Sequence, residues 1–396
     1  MLGGKCCCPA CPTGQALPKG GFPVYNLRMA NKRSSVTRKF GILTAGGDCP
    51  GLNTAIRGVC RAAQSRYGMT IVGISDGFRG LIEEDVRVLH PSDFSGILTR
   101  GGTILGTSRE KPFKSSQVGL SSDDIEGEKV TAVKETYHRL GLDCLVVLGG
   151  NGTNTTGYSF AQEGLNVIGL PKTIDNDIVG TDQTFGFNSA LSICTEAIDR
   201  LHSTAQSHNR VIVIELMGHK AGWLALYAGV AGGGDIILIP EIPYDIKVIG
   251  HHLEERAKSG KAFSIVVVAE GAISAKEAEM DKRERKKYRA ENGLSVGYRV
   301  AREIHEETGM ETRATVLGYV QRGGIPSASD RVFATSLGTA AADLLAKGEY
   351  GRMVALRNGR IDSVDLSVPA GQVRTVPRDH YMIDTAIAVG TCMGKD

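Results

Sequence analysis

Asp175-Asn176-Asp177 follows directly on Lys172-Thr173-Ile174, and both lie downstream of a glycine run, Gly149-Gly150-Asn151-Gly152-Thr153. Residues of these types can move a phosphoryl group. Glycine lets the backbone approach an anion closely, and a helix starting there would aim free amide N–H groups at it. One carboxylate can take the proton of an attacking hydroxyl. A second suits Mg²⁺, which prefers one or two carboxylates together with phosphate oxygens and water. Asp175 is the candidate base and Asp177 the candidate metal ligand. On spacing alone, Asp-Asn-Asp could equally be a turn or a helix cap.

Strand ends must deliver these groups. Cys144 to Leu148 is a short apolar run of the kind buried in parallel sheets, and Asn166 to Leu170 is a second strand ending at the Lys172 segment. Open α/β sheets place ligands in the crevice outside such ends. Upstream, the strand Phe40 to Thr44 runs through the loop Ala45-Gly46-Gly47 into an amphipathic helix, Thr54 to Tyr67, the mononucleotide-binding order. A further strand lies near Ile71 to Ile74. A second glycine loop, from Thr99, ends in Arg109, whose guanidinium can fork onto phosphate oxygens.

Downstream, a helix is predicted over Asn188 to Ser207 with Ile193, Ala197 and Leu201 on one face. Strands follow at Val211 to Leu216, Ile236 to Ile239, Ser264 to Ala269 and Thr312 to Tyr319. Arg210, Arg313 and Arg322 are predicted at strand ends, where they could hold the phosphate of an anionic acceptor. Ala275 to Ala290 is dense in alternating charge, the pattern of a solvated helix face. The repeated βα order predicts an α/β protein with two doubly wound, Rossmann-like lobes and mainly parallel sheets.

The bulk composition excludes several classes. Of 396 residues, 41% are hydrophobic and 22% charged, ordinary for a globular chain. No apolar run approaches the roughly 20 residues of a membrane span. The net charge is +3, yet Lys5, Lys19, Arg28, Lys32, Arg33, Arg38 and Lys39 precede the first acid, so the body is slightly acidic. That argues against nucleic acid as a partner. Cys6, Cys7, Cys8 and Cys11 crowd together; Cys8 and Cys11 have zinc-knuckle spacing but no second pair at a useful distance. The other five cysteines are scattered, as in a reducing cytoplasm. Residues 1 to 38 show no period and are expected to be a disordered basic leader or an extension upstream of Met29.

The chain resembles the 6-phosphofructokinase family from about residue 38 to 372, and onward to its end. The resemblance rests on Gly41 to Asn53, Gly101-Gly102-Thr103 through Arg109, Lys172 to Asp177, Met217-Gly218, and Thr312 through Gly324, occurring together and in order. It implies phosphoryl transfer from ATP to the 1-hydroxyl of fructose 6-phosphate, with Mg²⁺ as cofactor and Asp175 as base. It also implies a larger donor-binding lobe, 39–186 plus 321–372, and a smaller sugar-phosphate lobe, 187–320 plus 373–396. Donor contacts would fall on Gly47, Arg109, Glu110, Gly150, Asn151, Gly152, Thr153 and Lys172. Sugar-phosphate contacts would fall on Thr173, Asp175, Arg210, Met217, Gly218, His219, Glu270, Arg313, Tyr319 and Arg322. Arg210 and Arg313 would reach a neighbouring subunit's site, so a homodimer or homotetramer with shared sites is expected.

Three positions depart from the family pattern. Asn151 stands where a metal-binding aspartate is usual, shifting the metal toward Asp177 with Asn151 as a neutral ligand. His219 replaces a common arginine, and Tyr319 a common histidine. Gly152 resembles the ATP-dependent branch, because an aspartate there would obstruct the α-phosphate. Lys172 resembles the pyrophosphate-dependent branch. ATP is favoured, with pyrophosphate the alternative. Asp235 matches an acidic position of the family's effector site. Diacylglycerol and NAD kinases share the GGNGT-type loop but lack the Pro171-to-Asp177 and Thr312-to-Gly324 runs. A non-catalytic sugar-phosphate sensor would be expected to have lost Asp175. The expectation is therefore a cytoplasmic glycolytic kinase without nucleic-acid or membrane partners.

Overall fold

Twelve strands alternate with helices in the computed structural model, which describes residues 32–113, 124–292 and 295–395. They are β1 (Lys39–Thr44), β2 (Thr70–Ile74), β3 (Val86–Val88), β4 (Cys144–Gly149), β5 (Val167–Thr173) and β6 (Phe185–Gly186) in the first half. The second half supplies β7 (Val211–Leu216), β8 (Ile236–Leu238), β9 (Ser264–Ala269), β10 (Thr312–Val316), β11 (Arg352–Arg357) and β12 (Arg360–Asp365).

Two sheets result. The larger runs β12-β11-β5-β4-β1-β2-β3, with β6 extending β5, and the smaller runs β10-β7-β9-β8. All pairings are parallel except at the larger sheet's two edges, β2 with β3 and β11 with β12. The central strands β4, β5, β7 and β9 are buried along their whole length, as strands covered by helices on both faces must be. The α/β fold with two doubly wound lobes is as the sequence predicted. One apolar core joins the lobes, reaching from Leu148 and Leu170 to Ile214, Trp223 and Val267.

Several boundaries differ from expectation. Residues just before β1 are docked: the Val36 N–H donates to the Ala346 carbonyl, and buried Thr37 donates to that of Leu345. Residues 1–31 of the expected leader, with the cysteine cluster, lie outside the described residues. The first helix is α-helical only over Leu52–Ala62 and widens into a π turn at Ala63–Tyr67. β5 continues through Pro171 to Thr173. Proline is tolerated there because β4 ends opposite it, at Gly149, and β6 takes over as neighbour.

β10 stops at Val316 and leads into a 3₁₀ turn, Gly318–Arg322, instead of running to Tyr319. The long helix, Phe187–His208, buries Ala190, Cys194 and Ile198, so the expected face is rotated: Ala197 and Leu201 flank the core and Ile193 is only partly buried. The charged segment is two helices, Ala275–Glu279 and Lys282–Asn292, and its Glu277 is fully buried. No helix of the described residues is long and apolar enough to cross a membrane.

Candidate active site

The site is built around the turn that follows β5. The Thr173 hydroxyl accepts the Asp175 N–H at 3.1 Å, while the Thr184 hydroxyl donates to the Thr173 carbonyl at 2.8 Å. Asn176 takes a left-handed backbone (φ 53°), which asparagine tolerates better than most residues, and its side-chain oxygen accepts the Thr184 N–H. These bonds lock the turn against β6 and sink Asp175, Asn176 and Asp177 below the surface.

Burial dictates the electrostatics there. It raises Asp175 from the ordinary carboxylate value to about 6; the charge of Asp177 adds to the shift and that of Arg322 opposes it. One Asp175 oxygen, Oδ1, is buried without any hydrogen-bond partner. Burial also raises Asp177, against hydrogen bonds from backbone N–H and from Asn151. The Asn151 amide donates both to the Asp177 carboxylate, at 2.9 Å, and to its main-chain oxygen, at 3.0 Å. Asn151 Oδ1 is left buried and unpartnered.

On one side of this turn lies an anion cradle. The helix Asn151–Gln162 starts immediately after β4 and Gly150, so its first amide groups have no intrahelical acceptor. Lys172, 3% exposed, donates its ammonium to the Gly47 carbonyl and has no carboxylate partner among the described residues; burial lowers its pKa. Thr153 donates to the Ala45 carbonyl at 3.3 Å. The second glycine loop is tied to the first: the Thr107 hydroxyl donates to the Gly46 carbonyl, and the Gly46 N–H to the Ser108 carbonyl. It presents Arg109 at the cleft, while Glu110 pairs with Lys129 at 2.7 Å. At Gly47 a Cβ would lie 2.8 Å from the Arg322 guanidinium, so a side chain there would displace the end of that arginine. Gly152 is the opposite case. A Cβ there would meet only Lys111 Cε, at 4.0 Å, so its surroundings are open.

On the other side is a cleft of about 370 Å³ reaching from Asp175 to the carboxyl ends of the smaller sheet's strands. Met217, His219, Glu270, Tyr319 and Arg322 line it. Glu270 accepts the His219 N–H at 2.8 Å, which fixes the loop after β7, and Arg322 donates to the Asp48 carbonyl at 3.1 Å, spanning both sides. Gly218 needs its freedom: at φ 148° an added Cβ would lie 2.5 Å from the Ala221 oxygen. Tyr319 is 75% exposed. Glu215 of β7 also lines the cleft, its carboxylate accepting the Gly297 N–H at 2.6 Å. Sequence reasoning missed it; a lone acid inside an otherwise apolar strand was the available signal.

The three arginines do not converge. Arg322 is in the cleft, whereas Arg210 and Arg313 sit at the opposite ends of the paired strands β7 and β10, where both bind Glu311, at 2.8 and 2.7 Å. Six residues of β7 separate Arg210 from Met217, about 20 Å of extended chain. Asp235 is also engaged, bridging Arg256 at 2.6 Å and the Ile265 N–H at 2.9 Å.

The donor set suits a hard cation. Among the described residues no three His, Cys, Asp or Glu side chains cluster. Asp177 and the unpartnered Asn151 Oδ1 offer the one or two protein oxygens with which Mg²⁺ is held beside phosphates.

An anion cradle, a buried carboxylate with a free oxygen and an acceptor cleft, set at strand ends of two doubly wound lobes, define a phosphotransferase. The chain belongs to the phosphofructokinase family, matching it over residues 39–345. It is 68% identical over 359 residues to a Spirochaeta thermophila protein named ATP-dependent 6-phosphofructokinase, covering 90% of this chain and 98% of that one. It is 52% identical over 356 residues to ATP-dependent 6-phosphofructokinase 3 of Bacteroides thetaiotaomicron, covering 90% of this chain and all of the relative. Its fold is shared with the crystal structure of a pyrophosphate-dependent phosphofructokinase from Nitrosospira multiformis (TM-score 0.73, 21% identity, 91% of this chain and 93% of that one).

Proposed function

We propose that this chain transfers the terminal phosphoryl group of ATP to the 1-hydroxyl of fructose 6-phosphate, giving fructose 1,6-bisphosphate. The unpartnered Oδ1 of buried Asp175, at the wall of the acceptor cleft, carries the proposal. A carboxylate with a pKa near 6 is ionised at neutral pH yet basic enough to take the 1-hydroxyl proton as that oxygen attacks phosphorus. Gly150, Asn151, Gly152 and Thr153 would receive the donor phosphates with Gly47, Lys172, Arg109 and Glu110. Thr173, Met217, Gly218, His219, Glu270, Tyr319 and Arg322 would orient the sugar phosphate. Asp177 and Asn151 would hold Mg²⁺, which when bound offsets the phosphate charge.

Arg210 and Arg313 lie too far from their own cleft to touch its sugar, so in this reading they complete a neighbouring subunit's site in a homodimer or homotetramer. The lobes divide as 39–186 plus 321–372 for the donor and 187–320 plus 373–396 for the sugar, in a cytoplasmic enzyme. The open space at Gly152 favours ATP, since nothing there obstructs an α-phosphate. Buried Lys172, without a carboxylate partner, favours the second reading, pyrophosphate. Initial rates with fructose 6-phosphate and Mg²⁺, run in parallel with ATP and with pyrophosphate, separate the two. Turnover with ATP alone is expected. Turnover with pyrophosphate alone would transfer the deciding role to Lys172, and turnover with neither would overturn the kinase reading.

A further inference from the structure

The catalytic turn is held from outside by a residue beyond the stretch that matches the family model. Arg374 lies past residue 345, where the family match ends. Its main-chain N–H donates to the Asp177 carbonyl at 2.8 Å, and its Nη1 donates to the Asn176 carbonyl at 3.1 Å. One residue therefore ties both carbonyls of the turn that presents Asp175, its side chain the Asn176 carbonyl and its main chain that of Asp177. The guanidinium lies over the ring of Trp223, 4.2 Å from its centroid, and the Trp223 indole N–H donates back to the Arg374 carbonyl at 2.9 Å. Trp223 is 2% exposed, and His380 packs edge-on against it.

Trp223 opens the helix Trp223–Ala231, which follows the Met217–Gly218–His219 loop after a few residues. Next to it, the Glu241 carboxylate accepts two N–H groups, from Gly222 at 3.0 Å and from Val376 at 2.9 Å. The segment 374–376 is thus bonded to the turn of the larger sheet and to the helix of the smaller one. We infer that Arg374, stacked on Trp223, is a positioning residue for phosphoryl transfer: it fixes the Asp175–Asp177 turn against the sugar-binding loop across the two lobes. This inference rests on the kinase reading above.

The geometry predicts which kinetic constant is sensitive. Arg374 contacts the backbone of the turn and is not among the residues lining the cleft, so ground-state binding is expected to be insensitive to it. Misplacing a reacting group by about 1 Å costs on the order of a hundredfold in rate.

The test uses the full chain with ATP, fructose 6-phosphate and Mg²⁺, comparing wild type, R374M and R374K. Methionine keeps the stem packed on Trp223 but donates nothing; lysine keeps a charge and a donor for Asn176. R374M is expected to lower kcat about 30- to 100-fold while leaving both KM values within about threefold of wild type. R374K is expected to recover about tenfold of that loss. A kcat for R374M within threefold of wild type overturns the inference, as does a loss carried by KM, or an R374K no better than R374M. Should R374M fail to fold, W223F is read instead: it removes the N–H bond to Arg374 and should show the same split, and an unchanged kcat overturns the inference. Absence of wild-type turnover would overturn the kinase reading itself, a result distinct from all of these.

Discussion

Two buried carboxylates in this molecule meet opposite fates. Glu277 is fully buried, and both its oxygens are filled: Oε1 accepts from Arg289 at 2.9 Å and Arg299 at 3.1 Å, and Oε2 from Arg299 at 2.7 Å and the Ser274 N–H at 3.0 Å. Asp175 is 8% exposed and keeps one oxygen without a partner. Burial pushes both pKa values up. At Glu277 the Ser274 N–H and the two arginines outweigh it and hold the group below the usual carboxylate range. At Asp175 the neighbouring Asp177 reinforces it, and the value climbs to about 6. Burial alone therefore does not single out Asp175, nor does a free oxygen, which Glu241 and Asp330 also have; a free oxygen at the wall of the cleft does.

The largest effect expected from this contrast is kinetic. D175N keeps the shape of the turn and removes the proposed base, so in that reading kcat should fall by about 10³- to 10⁴-fold. Binding of fructose 6-phosphate, read by calorimetry, should stay within about threefold, since most of the proposed sugar contacts are other side chains. Turnover within tenfold of wild type would show that Asp175 is not the base and that its free oxygen is incidental.

At Glu277 the expected loss is in stability. E277A removes the carboxylate that accepts two bonds from the Arg299 guanidinium, 3% exposed, and leaves Glu303, at 3.8 Å, as its remaining carboxylate, a change that costs about 3–5 kcal/mol. The thermal midpoint should drop, with kcat per folded molecule close to wild type at a permissive temperature. A normal midpoint with a lost kcat would place Glu277 in the catalytic machinery and erase the contrast.

The sequence displayed one of these carboxylates and hid the other. Asp175 was visible because three independent features, an apolar strand, a glycine run and a lysine, pointed at the same few residues. The fold class was legible for the same reason, since buried parallel strands leave continuous apolar runs. Glu277 sits in a charge-rich stretch that reads as solvated, and only Ser274 three residues earlier, the start of a capping box, hinted that its carboxylate turns inward. The arginines show a second limit. Arg210 precedes β7 and Arg313 lies at the start of β10, whereas Arg322 follows β10, so chain order puts the first two at amino ends and only Arg322 beyond a carboxyl end; grouping all three as strand-end arginines ignored that order. Arg374 had no signal at all, because its partners are main-chain carbonyls two hundred residues upstream.

Stability should depend on pH with opposite sign at the two groups. Asp175 is raised from 3.8 to about 6, so between those values the native state binds more protons than the unfolded chain and stability falls as pH rises. Glu277 is lowered, so its contribution is present above the unfolded value of 4.5 and lost as pH falls below it. Relative to wild type at pH 7, D175N should be stabilised by up to about 3 kcal/mol, the equivalent of the two-unit shift. That gain should vanish below pH 4. A D175N protein no more stable than wild type at pH 7 would mean that the buried charge of Asp175 is compensated after all, as that of Glu277 is.

The smallest effect concerns what fills an empty place. The Cβ of an aspartate at Gly152 would meet nothing closer than Lys111 Cε, at 4.0 Å, so G152D should fold normally. It would stand in the first turn of the helix Asn151–Gln162, where a negative charge is favourable by about 0.3–1 kcal/mol, so the midpoint should hold or rise slightly. The same carboxylate would occupy the route of a nucleotide's α-phosphate and repel it. The expected outcome is a fall in kcat/KM for ATP of about tenfold, equivalent to about 1.4 kcal/mol, with KM for fructose 6-phosphate unchanged. A variant as active with ATP as the wild type would show that the donor does not pass over Gly152. Lys172, buried without a carboxylate partner, would then be the residue that defines the donor site.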